Sequence, residues 1–253
     1  MALVSEEDFQ TSVEKVHLYA RSLAFGTGQQ KDTSRATQIL EGLVRICPTD
    51  MRVHHDLHDL YRDIGDFPSA VRVLRWGAYL TDERCLFMLG MAYVDGLGTD
   101  RDVRKGLNYL EEVWEGVGER QWQVDAGMTL AYFNIHGEDG VTKNVLEGTR
   151  ILERISAGEN RPERGARWLV QLLRNGILGL EPDHKRAFRI CFDVLKRCND
   201  GYLFSQVAEM YENGEGCDKD LEKAKHHYIC ALAHGVGGAI RDVKRIEAII
   251  EGL

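Results

Sequence analysis

The sequence predicts an all-α protein, a right-handed α-solenoid of about six helix–turn–helix repeats with a C-terminal capping helix. Two observations support this fold class. The 253 residues include only four prolines, which interrupt helix interiors, but 26 glycines, which favour helix ends and close helix packing. A pattern of one tyrosine and two glycines also recurs along the chain, followed each time by a small residue.

The clearest repeat motif runs from Cys85. Leu86, Leu89 and Tyr93 are spaced to form one apolar face of a first helix. Gly96 can adopt the left-handed conformation that ends this helix. Gly106 belongs to the second helix, where the missing side chain lets a neighbouring helix approach. One such hairpin cannot bury its own apolar stripe, so the repeats are predicted to stack.

The small residue of the second helix recurs in every repeat, at steps of 34 to 42 residues. These residues are Ala36, Ala70, Gly106, Gly148, Ala187 and Ala224. The predicted repeats cover residues 13–47, 51–81, 84–117, 123–158, 163–198 and 201–237, with a cap at 239–253. We therefore predict a single domain over residues 1–253, in which residues 1–12 form a polar lead-in.

Two segments carry the repeat motif most fully. They read Leu89-Gly90-x-x-Tyr93-x-x-Gly96-x-Gly98 and Tyr211-x-x-Gly214-x-Gly216-x-x-x-Asp220-x-x-x-Ala224. This pattern resembles Sel1-like repeats, the longer-looped relatives of tetratricopeptide repeats. The resemblance spans roughly residues 13–240. It implies a scaffold or adaptor for protein–protein interactions that binds a partner segment on the concave surface of the solenoid.

The six cysteines are predicted to be free thiols, because no export signal begins the chain. Some exported proteins that resemble this one join successive helices through cysteines eight residues apart. The corresponding partners of Cys85 and Cys230 here are Gly77 and Gly238. We therefore predict a cytoplasmic protein without disulfides.

The overall charge argues against two classes of partner. The formal net charge is −8, whereas surfaces for nucleic acid or anionic lipid carry a basic excess. No apolar stretch approaches the roughly 20 residues of a membrane-spanning helix. We therefore predict a protein partner, with no nucleic acid and no membrane insertion.

A cluster of arginines around one tryptophan is the candidate binding site. Arg164, Arg167, Trp168, Gln171 and Arg174 lie at helical spacing in the fifth repeat. Tryptophan and arginine are the most frequent anchors of protein interfaces, and first helices line the concave surface of stacked repeats. The cluster is predicted to bind an acidic or extended peptide segment.

A histidine-rich helix in the second repeat offers two more candidate contacts. His55 and Asp59 are predicted to point outward and contact a partner. His54 and His58 have a spacing seen in metal sites and are predicted to flank the packed face, but no third ligand lies nearby in the sequence.

The remaining function classes receive less support. We predict no bound metal, no cofactor and no catalytic residues, and therefore a protein that is not an enzyme. The alternative to an adaptor is a structural or assembly subunit of a larger complex. A hydrolase or a metal-binding protein is less well supported.

Overall fold

The computed structural model shows a chain of helices. It describes residues 6–28, 30–117, 120–177 and 180–252. Within these ranges the only β-type pairing is an isolated bridge between Ile177 and Leu180. The helices are α1 (Glu6–Phe25), α2 (Thr33–Ile46), α3 (Met51–Asp63), α4 (Phe67–Tyr79), α5 (Glu83–Asp95), α6 (Val103–Glu115), α7 (Arg120–His136), α8 (Val145–Ala157), α9 (Pro162–Asn175), α10 (His184–Leu195), α11 (Gly201–Asn213), α12 (Leu221–Ala233) and α13 (Ala239–Glu251). No helix in the described part of the chain combines the length and apolar character needed to cross a bilayer.

The helices confirm the predicted repeat fold. The first twelve form six hairpins, and α13 packs on α12 as the predicted cap. The hairpins coincide with the predicted repeats except at the start, where α1 begins at Glu6 and includes part of the expected lead-in. Residues 6–25 contain no glycine or proline, and acidic side chains favour the first turn of a helix, so the polar segment continues the helix.

The chain packs as two compact units, residues 1–122 and residues 123–253. The first unit contains α1 to α6, and most of α7 belongs to the second unit with α8 to α13. A single domain over residues 1–253 stays a prediction.

The small residues lie where the two helices of a hairpin cross. All six predicted positions are buried. A methyl group on Gly106 would lie 2.6 Å from the carbonyl oxygen of Gly90, and one on Gly148 would lie 2.5 Å from Ile135. Both distances are far below van der Waals contact, so only glycine permits these crossings.

The repeated loop residues have two further roles. Each second helix begins after a side chain that accepts a hydrogen bond from its first turn, a strong N-terminal cap. These caps are Asp32, Asp66, Asp102, Asn144, Asp183 and Asp220. Gly98 has a positive φ, and a methyl group there would lie 2.2 Å from the carbonyl oxygen of Phe67 in the preceding hairpin. The second glycine of the motif therefore lets one loop pack on the previous hairpin.

Candidate functional site

The five predicted contact residues of the second unit lie on one stripe of α9. Arg167 and Gln171 are exposed, whereas Arg164, Trp168 and Arg174 are partly buried. The opposite face of the helix is formed by four apolar side chains with no exposed surface, namely Ala166, Leu169, Val170 and Leu173. Burial of this face holds the stripe toward the neighbouring helices α7 and α11.

Two of the arginines each bind a carboxylate of a neighbouring helix. Arg164 forms an ion pair with Asp125 of α7. The Arg167 Nε lies 3.1 Å from Oδ2 of Asp200, a residue that also caps α11 by accepting a hydrogen bond from the amide of Leu203. The hydrogen bond to Asp200 raises the pKa of Arg167 above its ordinary value. Both guanidinium groups are thus held in place by the second unit itself.

Arg174 makes three contacts with the following hairpin. It lies 2.6 Å from Gln206, 2.7 Å from Glu209 and 2.8 Å from Glu215. Burial lowers the pKa of Arg174, but the two carboxylates outweigh it and the net shift is upward. This arginine is therefore also compensated by acidic side chains of the chain.

Trp168 belongs to a group of rings between α7 and α9. Its ring centroid lies 6.2 Å from that of His136 in a stacked arrangement and 6.4 Å from that of Tyr132. Tyr132 is 40% exposed, and its hydroxyl lies 3.0 Å from Glu138. We call Tyr132, His136, Trp168 and Gln171 the Trp168 surface. It offers aromatic faces and an amide next to arginines that are already paired.

His55 and Asp59 lie on α3 of the first unit and face α5, so the prediction that they point outward is wrong. The Nε2 of His55 lies 2.8 Å from Asp82, and Asp59 lies 2.7 Å from Arg84. Burial raises the pKa of Asp59, but hydrogen bonds from His58 and Arg84 lower it to about 2. The two residues join successive hairpins because α5 begins beside them, and their part in partner binding stays a prediction.

The other two histidines of α3 are buried. His54 is 1% exposed and His58 is 6% exposed, so both belong to the packed interior. The sequence predicted that they flank it. The Nδ1 of His58 lies 3.1 Å from Asp59. The Nδ1 of His54 lies 3.1 Å from the carbonyl oxygen of Asp50, whereas its buried Nε2 has no hydrogen-bond partner.

His55, the third histidine of α3, belongs to a group of side chains that are common metal ligands. Within the described ranges, ligand atoms of His55, Asp82 and Cys85 lie within 4.8 Å of one another. The group has no signature in the local sequence, because Asp82 and Cys85 belong to the next hairpin. Each member already has a structural role. His55 pairs with Asp82 across successive hairpins, Asp82 caps α5, and Cys85 is fully buried against Gly77. Burial raises the pKa of the Cys85 thiol far above its ordinary value, which disfavours the thiolate that a metal would bind.

No disulfide joins Cys85 to position 77, because the residue there is glycine and has no sulfur. A methyl group on Gly77 would lie 2.2 Å from the sulfur of Cys85. Glycine therefore leaves the space that the Cys85 side chain occupies. All six cysteines are free thiols, as predicted.

The first unit contains a cleft that sequence analysis did not find. It lies between α2, α3 and α4 and has a volume of about 530 Å³. Apolar side chains form much of its lining, namely Val44, Leu57, Val73 and Trp76. His54 and Tyr61 are the buried residues of this lining that carry a polar group. We call it the α2–α4 cleft.

Two internal contacts shape the α2–α4 cleft. The indole Nε1 of Trp76 donates to the carbonyl oxygen of Pro48 at 2.9 Å. This hydrogen bond fixes the indole ring, which forms one wall of the cleft. The hydroxyl of Tyr61 donates to the carboxylate of Glu41. Burial and this carboxylate raise the pKa of Tyr61 to about 12, so the hydroxyl keeps its proton at neutral pH.

The second unit has a smaller groove between α8, α9 and α10, with a volume of about 300 Å³. We call it the α8–α10 groove. Charged side chains cross it, because Arg186 forms an ion pair with Glu153. Arg197 donates to the carbonyl oxygen of Ala157 at 3.1 Å, at the C-terminal end of α8.

Comparison with known proteins agrees with the repeat pattern. A Sel1 repeat family model matches residues 84–112, 164–190 and 205–236, which lie in the third, fifth and sixth hairpins. These are the hairpins that contain Gly98, the α9 stripe and Gly216.

Solved structures show the same fold. A Sel1 repeat protein from Oxalobacter formigenes is similar with a TM-score of 0.64 and 20% identity, over 93% of this chain and 90% of that protein. A protective antigen of uropathogenic Escherichia coli with an SLR fold is similar with a TM-score of 0.56 and 15% identity, over 96% of this chain and 59% of the antigen. The chain therefore carries Sel1 repeats, and its fold is that of the Sel1 repeat proteins.

Proposed function

We propose that the chain is an interaction scaffold that holds an extended segment of a partner protein on the Trp168 surface. Helical hairpin repeats of this class generally bind proteins, and their first helices supply the contacts. The observation that carries the proposal is the partly exposed Trp168, whose ring stacks on His136 beside the exposed Gln171. A large aromatic side chain held by its neighbours is a typical anchor of a protein interface.

The ion pairs change the expected character of the partner. An acidic segment was expected from the arginines alone. In the structure, Arg164, Arg167 and Arg174 contact the four carboxylates Asp125, Asp200, Glu209 and Glu215. With three positive and four negative groups, this region no longer favours an acidic segment. We expect instead an apolar or proline side chain that packs on Trp168, and a backbone that hydrogen-bonds to the Gln171 amide.

The same pairs support binding in another way. Arginine side chains lose rotamer freedom when an interface forms, and that loss opposes association. Here Arg174 already holds Gln206, Glu209 and Glu215 in the free protein. The region around Trp168 is therefore organised before a partner arrives.

Affinity purification from the native cell tests the proposal. We expect Trp168→Ala to reduce recovery of the partner at least tenfold, because truncation of an interface tryptophan costs roughly 2 kcal/mol or more. Leu146→Ala is the matched control, since Leu146 lies on α8 of the same unit and is 59% exposed. Equal recovery with both variants, or no protein partner at all, would refute the proposal, and circular dichroism confirms that each variant folds.

A second candidate function is a subunit of a larger assembly. It is favoured by apolar side chains of α1 that are exposed in this chain. Val16 is 43%, Leu18 is 55% and Tyr19 is 40% exposed. The native mass measured by light scattering decides this alternative, because a particle near the 28.7 kDa of one chain contradicts it.

A further inference from the structure

The α2–α4 cleft leaves a large aromatic side chain partly uncovered. Trp76 is 43% exposed, and its indole N–H is already bound to the carbonyl oxygen of Pro48, so the ring offers apolar surface and no free donor. The partly buried Val44 and the buried Leu57 and Val73 continue this wall. The volume of about 530 Å³ lies in the range typical of small-molecule sites, which combine apolar walls with few polar groups.

The charged groups of the lining are two arginines and one glutamate. Glu41 accepts the hydrogen bond of the Tyr61 hydroxyl, and its other carboxylate oxygen lies 3.9 Å from Arg45. Arg72 also lines the cleft, but it forms no ion pair with any of the described residues. With two positive groups and one negative group, these three charged side chains have a net charge of +1.

Arg72 is the arginine of the lining that has no carboxylate partner. Burial and Glu41 raise the pKa of Tyr61, whereas Arg72 opposes this rise through its positive charge, so the guanidinium lies near the hydroxyl. Hydrogen bonds from Ser69 are the main cause of the lowered pKa of Asp66, and Arg72 adds a smaller effect. Asp66 is used to cap α4. In this respect Arg72 differs from the arginines of α9, each of which contacts a carboxylate.

We propose that the α2–α4 cleft binds a small amphipathic carboxylate, whose apolar chain packs on the Trp76 wall and whose carboxylate pairs with Arg72. The chain supplies most of the affinity by covering the exposed ring. Guanidinium and carboxylate can form two parallel hydrogen bonds, which sets the orientation of the ligand. The cleft belongs to the first unit and the Trp168 surface to the second, so this site is independent of the proposed function.

Two other groups of the lining define the alternatives. Glu41 would favour a cationic ligand, but its oxygens already contact Tyr61 and Arg45, so its charge is partly compensated. His54 is 1% exposed and presents almost no surface to a ligand. The sign of the preferred charge therefore distinguishes a ligand held by Arg72 from one held by Glu41.

Calorimetric titration of the purified protein with three probes of one chain length determines that sign. The probes are octanoate, octanamide and octylammonium, which carry a negative, a neutral and a positive head group. We expect octanoate to bind about fivefold more tightly than octanamide, the upper range for an ion pair that water can reach, and octylammonium to bind most weakly. Octanoate binding no tighter than octanamide, tightest binding of octylammonium, or no binding of any probe would overturn the proposal.

Charge variants locate the carboxylate. In Arg72→Gln the preference for octanoate over octanamide should fall below about twofold. Arg75→Gln is the matched control and should keep the preference, because Arg75 lies one turn further along α4, outside the lining, and donates to the hydroxyl of Tyr93 at 3.3 Å. Glu41→Gln should strengthen octanoate binding about threefold, since it removes the opposing charge. An unchanged preference in Arg72→Gln, or its loss in Arg75→Gln, would refute the role of Arg72.

A second pair of variants locates the apolar chain. Val44→Phe should fill the cleft and weaken the binding of octanoate and octanamide alike by at least about fivefold, because the chain loses its apolar contacts. Ile190→Phe in the α8–α10 groove should leave both affinities unchanged. Circular dichroism confirms that each variant folds. Unchanged binding of both probes to folded Val44→Phe would refute the cleft as the site.

Discussion

The α2–α4 cleft of the first unit and the α8–α10 groove of the second are built on the same framework. Counting from the small residue of each second helix, Glu41 corresponds to Glu153 and Arg72 to Arg189. The first positions lie five residues after Ala36 and Gly148, and the second lie two residues after Ala70 and Ala187. Glu41 and Arg72 line the cleft, and Glu153 and Arg189 line the groove. The helices thus provide equivalent surfaces in both units.

A few substitutions separate the two surfaces. Trp76 of the cleft corresponds to Asp193 of the groove. Counted instead from Leu57 and Leu169 of the first helices, His54 corresponds to the fully buried Ala166. In the groove Glu153 pairs with Arg186, so ionic contacts take up the space that is open in the cleft. The comparison shows that the fold alone does not determine what these surfaces bind. Side chains at a few positions determine how polar each cavity is.

Exchange of the residues at this corresponding pair of first-helix positions should have the largest effect. We expect Ala166→His to lower the free energy of unfolding by roughly 3 kcal/mol, because it overpacks a buried site and adds a polar ring there. His54→Leu should stay within about 1 kcal/mol of the wild type, since removal of an unsatisfied polar group offsets the lost hydrogen bond. The carbonyl oxygen of Asp50 also accepts from the amide of Val53, so it keeps a partner.

Urea denaturation of both variants measures this difference. Ala166→Leu is the control for volume, because it adds bulk without polarity. A loss from His54→Leu as large as that from Ala166→His would contradict the absence of a partner for Nε2. It would also weaken the comparison between the two surfaces.

The sequence predicted the fold because the fold depends on local signals. Glycine at Gly90 and Gly106 marks a close crossing, and Asp102 caps the helix that follows it. These signals repeat in every hairpin, so an ambiguous copy is supported by its neighbours. The start of α1 was missed because its first turns are polar and exposed.

The candidate sites were only partly predictable, because they depend on contacts between hairpins. Arg167 was identified from its helical spacing, but its partner Asp200 lies 33 residues away. The α2–α4 cleft unites residues from three helices, and no spacing within one helix reveals it. The apolar Trp76, six residues after Ala70 in a position where Asp193 follows Ala187, was a signal that alignment of the repeats could have found.

Acid should affect the two units in different pH ranges, and the second unit should respond first. Burial and the adjacent His226 lower the pKa of His227 from 6.5 to about 4. Between these values the unfolded chain binds the proton and the folded chain does not, so stability falls as the pH falls from 6.5 to 4. We expect His227→Phe to remove about 2 kcal/mol of this loss at pH 4.5. The ring would stack on Tyr211, as His227 does at 5.6 Å.

Melting temperatures between pH 7.5 and pH 4.5 check this prediction. The exposed His226 provides the control, and His226→Gln should keep most of the pH dependence. Parallel curves for wild type and His227→Phe would show that His227 does not titrate as the packing implies.

The first unit should lose a carboxylate contribution at lower pH. The pKa of Asp59 is lowered to about 2, so its stabilisation is complete above the unfolded value of 3.8 and is lost as the pH falls toward 2. At pH 7, Asp59→Asn should lower the free energy of unfolding by about 1.5 kcal/mol, since the contact with Arg84 is partly buried. The difference should vanish near pH 2. Asp63→Asn on the same helix is the control, because Asp63 is more exposed and lies 3.8 Å from Arg62.

The smallest effect should come from the contact that crosses the α8–α10 groove. Arg186 and Glu153 are about one-third exposed, so Arg186→Gln should lower the free energy of unfolding by only about 0.5 kcal/mol at low salt. This difference should disappear in 1 M sodium chloride, which screens exposed charges. In the cleft, Tyr61→Phe removes a hydrogen bond from a neutral hydroxyl to Glu41 and should cost about 1 kcal/mol at either salt concentration. The Arg186–Glu153 contact depends on the attraction between two opposite charges, and the Tyr61–Glu41 hydrogen bond does not. Equal salt dependence of the two variants would therefore contradict the distinction between an ionic groove and an apolar cleft.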